Sequence, residues 1–256
     1  MRKKLKNLLL VPALMVIASA FVISCGDDDD NNAPIPPAPI HESVQLWAGG
    51  PKWATCNVGA TKPEEYGLFF AWGETTGYTS STEGKTLIDD IYTGYTDRDF
   101  SWASYTKFGT FDTTAPPNYG FTKYNKTNGP TTLESADDAA TVSWGSEWRM
   151  PTAEEWQALL DNTTSEWTDN YSSTGIAGRI FTGKGDYSNI SIFLPTAGWR
   201  FATSLSGQGR YGLYWSSSLG EGGADEARTL NFGSGYLNVS DDYRSCGYSV
   251  RPVLAQ

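Results

Sequence analysis

Side chains that could do chemistry are concentrated near the C-terminus, where residues 238–248 read NVSDDYRSCGY. Asp241, Asp242 and Asn238 offer the carboxylate and amide oxygens that calcium prefers. Cys246 is the one thiol of this segment, and thiol redox chemistry would require a second cysteine beside it. Tyr, Ser and Asn are also the residues that antibody binding surfaces favour, since Tyr gives rigid area and the others give adaptable hydrogen bonds. The segment is therefore a candidate metal site, redox site or recognition surface.

The chain offers little else for catalysis. Its single histidine, His41, falls in a segment that we expect to be a solvated tether, so histidine acid–base chemistry and histidine-rich metal sites are not expected. Without it, no Ser–His–Asp or Cys–His set can be assembled. The glycine-rich stretches at 220–223 and 232–236 lack the Lys-Ser/Thr pair of a phosphate-binding loop. We predict a protein that is not an enzyme and has no cofactor, with calcium as the one open option.

The N-terminus carries a targeting signal. MRKKLKN opens the chain and precedes an apolar stretch at 8–23, which is the layout of a secretory signal. The motif VISC, which ends at Cys25, resembles a bacterial lipobox, whose cysteine is lipidated. We predict a lipoprotein signal peptide over 1–24 and a mature protein anchored by lipid at Cys25. The alternative is a plain secreted protein cut near Ser24.

Residues 25–43 are acidic and then proline-rich, which predicts an extended tether before a folded domain over 44–256. The acidic run at 27–30 resembles the surface-export signal of Bacteroidetes lipoproteins, so we expect a surface-exposed position on the outer membrane. Cleavage of the signal removes four of the 19 basic residues and none of the 29 acidic ones, which leaves a formal charge of −14. Such a surface repels phosphate, so nucleic-acid partners are excluded. For the same reason, we expect the protein to associate with the membrane through its lipid anchor only.

The folded domain must position the C-terminal residues with few helices and many short strands. TAEEWQALL at 152–160 predicts a helix that opens with a capping box. A second helix is predicted over 133–144, with Ser135 as its cap and Val142 facing inward. Alternating apolar residues predict strands at 191–200, 211–218, 227–233 and 248–254. Two helices with short antiparallel strands and long loops make an α+β domain.

Several motifs match one bacterial family as a set. They read WATCNVGATKPEEYGLFFAWGET, LESADDAA, WGSEWRMPTAEEW, IFLPTAGWR, GLYWSSS and GYSVRPV. Residues 44–254 thereby resemble the Fibrobacter succinogenes major paralogous domain of Bacteroidetes surface lipoproteins and, more distantly, domains related to formylglycine-generating enzymes. The resemblance implies a C-type lectin-like fold, in which terminal strands pair and long loops build a ligand face. The distant oxidases use a pair of cysteines near the C-terminus, where this chain has only Cys246.

The C-terminal pattern also resembles the variable region of proteins diversified by retroelements. In those proteins, mutagenesis at adenines rewrites asparagine codons into codons for residues such as Asn, Ser, Asp and Tyr. Residues 238–248 fit that composition, although exposed turns share it. Cys56 and Cys246 are candidates for a disulfide in an oxidising compartment. Under diversification, Cys246 is instead an accident of sequence change. The likeness to C-type lectins favours calcium, while the absence of their sugar-reading tripeptides speaks against it.

We therefore expect a non-catalytic cell-surface lipoprotein that binds a protein or glycan ligand through its C-terminal loops. The predicted ligand-binding residues are Ser218, Glu221, Tyr236, Asn238, Ser240, Asp241, Asp242, Tyr243, Ser245 and Tyr248. The alternatives are a structural subunit of a surface assembly, and an oxidase-like descendant of the formylglycine-generating fold. Four arginines are expected to be buried or half-buried and paired with backbone carbonyls or a carboxylate for structural reasons: Arg149, Arg200, Arg244 and Arg251.

Overall fold

The computed structural model describes residues 41–110, 120–127 and 129–255. The predicted signal peptide at 1–24, the lipidation site Cys25 and the tether up to residue 40 lie outside the described residues. Within the described ranges, no helix combines the length and the apolar character that a membrane span requires.

These ranges contain two α-helices, eighteen strands and three short 3₁₀ turns. The helices are α1 (Ala139–Trp144) and α2 (Ala153–Asn162). The strands are β1 (Ser43–Gln45), β2 (Lys52–Ala54), β3 (Leu68–Phe69), β4 (Tyr78–Thr79), β5 (Thr86–Ile88), β6 (Ile91–Thr93), β7 (Gly109–Thr110), β8 (Gly120–Phe121), β9 (Trp148–Arg149), β10 (Thr163–Thr168), β11 (Gly178–Gly183), β12 (Ser191–Pro195), β13 (Trp199–Phe201), β14 (Ser204–Ser206), β15 (Gly212–Leu219), β16 (Glu226–Phe232), β17 (Leu237–Tyr243) and β18 (Val253–Leu254). The 3₁₀ turns are Ser135–Asp137, Tyr171–Ser173 and Gly185–Tyr187.

The strands of the described ranges form six small antiparallel sheets. Their orders are β1-β2-β18-β9, β10-β11-β12, β13-β14-β6-β5, β15-β16-β17, β3-β4 and β7-β8. In the first sheet, Val253 of β18 lies opposite Trp53 of β2 and Arg149 of β9, so the two ends of the domain are joined. Ser43 already pairs with Ala54, one residue before the predicted start of the domain.

The expected α+β, C-type lectin-like fold is wrong, because the described residues are rich in β-structure. Strands outnumber helices by far, and the two helices have only six and ten residues. The segment between β3 and α1, where the sequence analysis predicts no strand, contains β4 to β8. Most of these strands have two or three residues, too few for the alternation of apolar and polar positions from which a strand is predicted. The sequence pattern therefore underestimated the β-content.

Helix α2 confirms the prediction for 152–160. The Thr152 hydroxyl accepts a hydrogen bond from the Glu155 backbone N–H at 3.2 Å, and the Glu155 carboxylate accepts one from the Thr152 N–H at 2.9 Å. This reciprocal pair satisfies two N–H groups that the first turn leaves without helical partners. Trp156 and Leu159 are then buried on the face that meets the core.

Helix α1 differs from its prediction at both the cap and the buried face. It begins at Ala139, because the Asp138 carboxylate, not Ser135, accepts hydrogen bonds from the N–H groups of Ala140 and Thr141, each at 2.9 Å. Val142 points outward and is 53% exposed. A helix of six residues has room for one buried stripe, which Ala139 and Ala140 occupy.

The sheet β15-β16-β17 separates two hydrophobic clusters. Tyr214 and Trp215 are neighbours on β15 and both are fully buried, but they belong to opposite clusters because successive side chains of a strand point to opposite faces. Trp156 of α2 lies in the same cluster as Tyr214. One face of the sheet is thus covered by α2, and the other carries Trp215 into the second cluster.

All four arginines are paired, three of them fully buried and Arg149 half-buried, as predicted. Arg251 is fully buried and donates to the Ala54 carbonyl at 3.0 Å, the Phe193 carbonyl at 3.0 Å and the Asn57 Oδ1 at 2.9 Å. Arg200 and Arg244 are also fully buried. The partners of the remaining side chains are Asp97 for Arg200, Ala224 and Tyr124 for Arg244, and Glu155 for Arg149. These guanidinium groups tie distant segments together through their several donors.

Candidate functional site

Strand β17 carries two different faces. Leu237 and Val239 pack against the cluster that contains α2. Between them, Asn238 points the other way, and Ser240 and Asp242 follow it on the same face. The segment that was predicted to be an irregular loop is therefore a strand, and its alternation selects which polar side chains are presented together.

The presented face forms one side of an open groove of about 640 Å³. Asn231 of β16 lies directly opposite Asn238 in the strand pairing, and Leu213 of β15 lies opposite Asn231. The remaining walls come from residues that flank these strands. The full lining is Trp199, Tyr211, Leu213, Asn231, Tyr236, Asn238, Ser240, Asp242, Cys246 and Tyr248.

The polar side chains that line the groove interact with one another. The Asn231 Nδ2 donates to the Ser240 Oγ at 2.6 Å. The Tyr248 hydroxyl interacts electrostatically with Asp242 and with Cys246. Burial raises the pKa of Tyr248 well above its usual range and raises the pKa of Cys246 to about 12, so both groups are neutral at physiological pH. Asp242 is the one lining side chain of a type that carries charge at pH 7, and the lining contains no Lys or Arg.

Aromatic rings form another part of the groove lining. The ring centroids of Trp199 and Tyr211 are 6.0 Å apart, and those of Tyr211 and Tyr236 are 6.2 Å apart. Tyr236 is 44% exposed, so its ring is available to a ligand. The backbone N–H of Gly198 donates to the Tyr211 carbonyl at 2.9 Å, which fixes the two chain segments that carry Trp199 and Tyr211.

A buried arginine fixes the turn that presents Tyr236. The Arg179 guanidinium of β11 donates to the Gly233 carbonyl at 3.0 Å, and the same Nη2 reaches the carbonyls of Ser234 and Tyr236, each at 3.4 Å. The tight turn between β16 and β17 is therefore held from below by one side chain. The exposed tyrosine on it is preorganised for contact.

A second cavity of about 390 Å³ adjoins the groove. Its lining is Trp167, Asp169, Gly209, Arg210, Tyr211, Ser234, Gly235 and Tyr236. Tyr211 and Tyr236 belong to the linings of both cavities. The two tyrosines therefore stand between them as a shared ridge.

Five of the ten predicted ligand-binding residues line the groove: Tyr236, Asn238, Ser240, Asp242 and Tyr248. Three others, Ser218, Glu221 and Asp241, lie elsewhere. Ser218 and Glu221 line a different cavity of about 390 Å³. Asp241 is directed to that side, where its carboxylate accepts from the N–H groups of residues 221 and 222 and pairs with Arg228 at 3.3 Å.

The last two predicted residues do not line the groove either. Tyr243 is exposed and packs edge-on against Trp102, with ring centroids 6.0 Å apart. Ser245 is almost completely buried. Sequence reasoning missed Trp199, Tyr211, Leu213 and Asn231 as lining residues, because they come from other segments of the chain. The aromatic-glycine pairs GWR and RYG were the signal that could have found the first two.

The idea of calcium held jointly by Asn238, Asp241 and Asp242 conflicts with the strand geometry, since Asp241 faces away from the other two. Among the described residues, no group of three or more His, Cys, Asp or Glu side chains is placed to hold a metal ion. The oxygen ligands that calcium needs do not converge at this strand.

The predicted Cys56–Cys246 disulfide is absent from the structure. Both cysteines are buried free thiols. The Cys56 thiol donates to the Ala60 carbonyl at 3.3 Å, whereas Cys246 borders the groove. The two ends of the domain are joined by strand pairing and by Arg251 instead.

His41 was expected to be a solvated residue of the tether, but it packs against the folded domain. Its imidazole stacks on the Trp144 ring with centroids 3.6 Å apart, and Trp148 meets it edge-on at 6.1 Å. Burial lowers the pKa of His41, which favours the neutral ring in this stack. The entry into the domain is thus fastened to the end of α1.

A family model described as a domain of unknown function (DUF8237) matches residues 168–253. All ten groove-lining residues fall inside this match, which spans about a third of the chain. No curated protein and no solved structure matches the chain.

Proposed function

We propose that this chain is a non-catalytic lipoprotein of the cell surface, anchored at Cys25, that binds a protein or glycan ligand in the groove beside β17. The observation that carries the proposal is the composition of the groove. Exposed aromatic rings and a row of amide, hydroxyl and carboxylate side chains line one groove of about 640 Å³. Concave sites with apolar walls and a few convergent polar groups are where proteins bind ligands.

The chemistry of the groove supports binding over catalysis. Cys246 would have to be the reactive thiol of an oxidase, but its raised pKa keeps it protonated, and a protonated thiol is a poor nucleophile. The described residues place no second cysteine in the groove lining. Calcium plays no part in the proposed mode of binding, because Asp242 is the single carboxylate of the lining.

Diversification of the groove by a retroelement belongs to the same proposal. Positions 238, 240 and 242 face the groove and are of the residue types that rewritten asparagine codons yield. Sequencing of the surrounding DNA tests this part. A reverse-transcriptase gene beside a near-identical repeat that differs at adenines supports it, and the absence of both rejects it.

Arrays of glycans and of surface proteins, probed with the full-length protein, test the binding proposal. Tyr236→Ala removes an exposed groove ring, and Phe201→Ala is the matched control, since Phe201 is 54% exposed and lines neither cavity. We expect Tyr236→Ala to bind about tenfold more weakly, as the loss of one aromatic contact implies, and Phe201→Ala to match the parent. Equal binding by Tyr236→Ala and the parent would remove the groove as the site.

A further inference from the structure

We infer that the ligand is a neutral oligosaccharide long enough to cross the Tyr211–Tyr236 ridge and fill the cavities on both sides. This inference rests on the proposed binding function and names its ligand class. The groove has a volume of about 640 Å³ and the second cavity a volume of about 390 Å³, and both tyrosines line both of them. A ligand that contacts these rings from one side has a second prepared cavity directly beyond them.

The rings and the polar row fit a sugar chain. A pyranose ring presents an apolar face of C–H groups and an edge of hydroxyls. Trp199, Tyr211 and Tyr236 offer flat apolar surface, while Asn238 and Ser240 recur along the strand with the spacing of alternate residues, roughly 6.8 Å. An amide donates and accepts hydrogen bonds, as does a hydroxyl, so each can serve a sugar hydroxyl in either sense.

Charge restricts the class of sugar. Asp242 is the acidic side chain of the groove, no Lys or Arg is among its lining residues, and burial keeps Cys246 and Tyr248 neutral. In the second cavity, Arg210 is paired with Asp90 at 2.9 Å, and Asp169 adds a carboxylate. Phosphorylated, sulfated and uronic-acid sugars would meet the Asp242 carboxylate in the groove with no cation in its lining, and in the second cavity the charge of Arg210 is balanced by Asp90 and Asp169, so neutral units are favoured.

The second cavity has its own aromatic platform. The Trp167 Nε1 donates to the Asp169 Oδ1 at 2.7 Å, which fixes the plane of the indole. Tyr236 is fixed by the turn that Arg179 holds. Because the rings on both sides of the ridge are already fixed, binding does not have to order them, and less conformational entropy is lost when the complex forms.

A protein ligand fits less well. The centre of a protein interface is depleted of charge and packs apolar anchors into pockets. Here Leu213 is the single aliphatic lining residue, and Asp242 and the amides occupy the floor. An apolar side chain of a protein ligand would bury these polar groups without hydrogen-bond partners, whereas the hydroxyl groups of a sugar can form hydrogen bonds with them.

Titration of the full-length protein with neutral hexose and N-acetylhexosamine oligosaccharides, from disaccharide to hexasaccharide, tests the inference, with an array of surface proteins run in parallel. We expect affinity to rise with length. Trp167→Ala should weaken the hexasaccharide about tenfold and leave the disaccharide unchanged, while Tyr236→Ala weakens both. Trp167→Phe keeps an aromatic ring and should restore most of the affinity, and the melting temperature of each variant reports whether it is folded.

Each outcome separates the two proposals. Oligosaccharide binding that is independent of length, or insensitive to Trp167→Ala in a folded variant, overturns the two-cavity inference. If the protein array yields a ligand whose binding is lost in Tyr236→Ala, the inference of an oligosaccharide ligand is wrong, while the proposed binding function stands. Absence of any ligand that depends on Tyr236 overturns both.

Discussion

Asp241 and Asp242 are adjacent in the chain, yet their carboxylates lie on opposite sides of β17. Asp242 lines the groove and interacts electrostatically with the Tyr248 hydroxyl. Asp241 accepts hydrogen bonds from the backbone N–H groups of Glu221 at 2.9 Å and Gly222 at 3.0 Å. Similar residues at successive positions thus have different tasks, one in recognition and one in holding a turn.

This division predicts opposite phenotypes for the two aspartates. Asp242→Asn should weaken ligand binding and change the free energy of unfolding by less than about 0.5 kcal/mol, because its site is polar and open. Asp241→Asn should leave binding unchanged and cost about 1–2 kcal/mol of stability, since it weakens hydrogen bonds to a charged acceptor. Urea unfolding and ligand titration of both variants measure this. Equal effects of the two variants on binding would contradict the assignment of faces.

Asp137 should make stability depend on pH on the acid side. Its burial alone would raise its pKa, but hydrogen bonds from Lys107, Lys123 and Tyr124 outweigh this, and the pKa lies below its ordinary value. Because the folded carboxyl has the lower pKa, its stabilisation is complete above the ordinary value of 3.8 and is lost as pH falls through the folded pKa.

Asp137→Asn should therefore cost about 2–3 kcal/mol at pH 7, and the difference from the parent should shrink as the pH falls below about 4. Urea midpoints between pH 7 and pH 3 measure it. A difference that stays constant over this range would show that the carboxylate charge is not what stabilises the contact.

Arg251 should be essential to the fold. Arg251→Met retains much of the side-chain volume but leaves three buried acceptors without a donor, so we expect a loss of about 3–5 kcal/mol in the free energy of unfolding. Arg210→Met is the control, because Arg210 is exposed and its pair with Asp90 is worth less than about 1 kcal/mol. Comparable losses for both variants in thermal or urea unfolding would refute the role given to the buried side chain.

Cys246 should resist alkylation in the folded protein. Burial raises its pKa to about 12, so the reactive thiolate is scarce at pH 8. Iodoacetamide followed by mass spectrometry should find Cys246 modified only after unfolding. Ser240→Cys places a thiol on the open face of the groove and should react in the native state as a positive control. Rapid modification of native Cys246 would restore the oxidase alternative.

Local chemistry explains what could be predicted from the sequence. The capping box at Thr152 and Glu155 and the apolar positions that follow specify α2 within one short segment. The polar run after Leu237 could be recognised as a candidate site by composition alone. Both depend on neighbours in the chain, which a single sequence displays.

Long-range pairing explains what could not be predicted. The side of β17 on which Asp241 lies is set by its pairing with Arg228 on β16, and Trp199 and Tyr211 reach the groove through contacts between separate segments. The six sheets are built largely from strands of two or three residues, which carry almost no periodic pattern. The β-rich architecture and half of the groove wall therefore depend on information that no local stretch contains.

Strand β17 is also the outermost strand of its sheet in the described structure. An outer strand presents backbone donors and acceptors to which another chain can add, and this is a common route to self-association. Asp241 and Asp242 project from opposite faces of that strand, and Asp242 has no Lys or Arg beside it in the groove lining; a charged side chain on an edge strand discourages such addition. Two copies that paired edge to edge along β17 would add the Asp242 carboxylate of each copy to one shared sheet. The strand that presents the groove thus also carries a charge that disfavours edge-to-edge pairing.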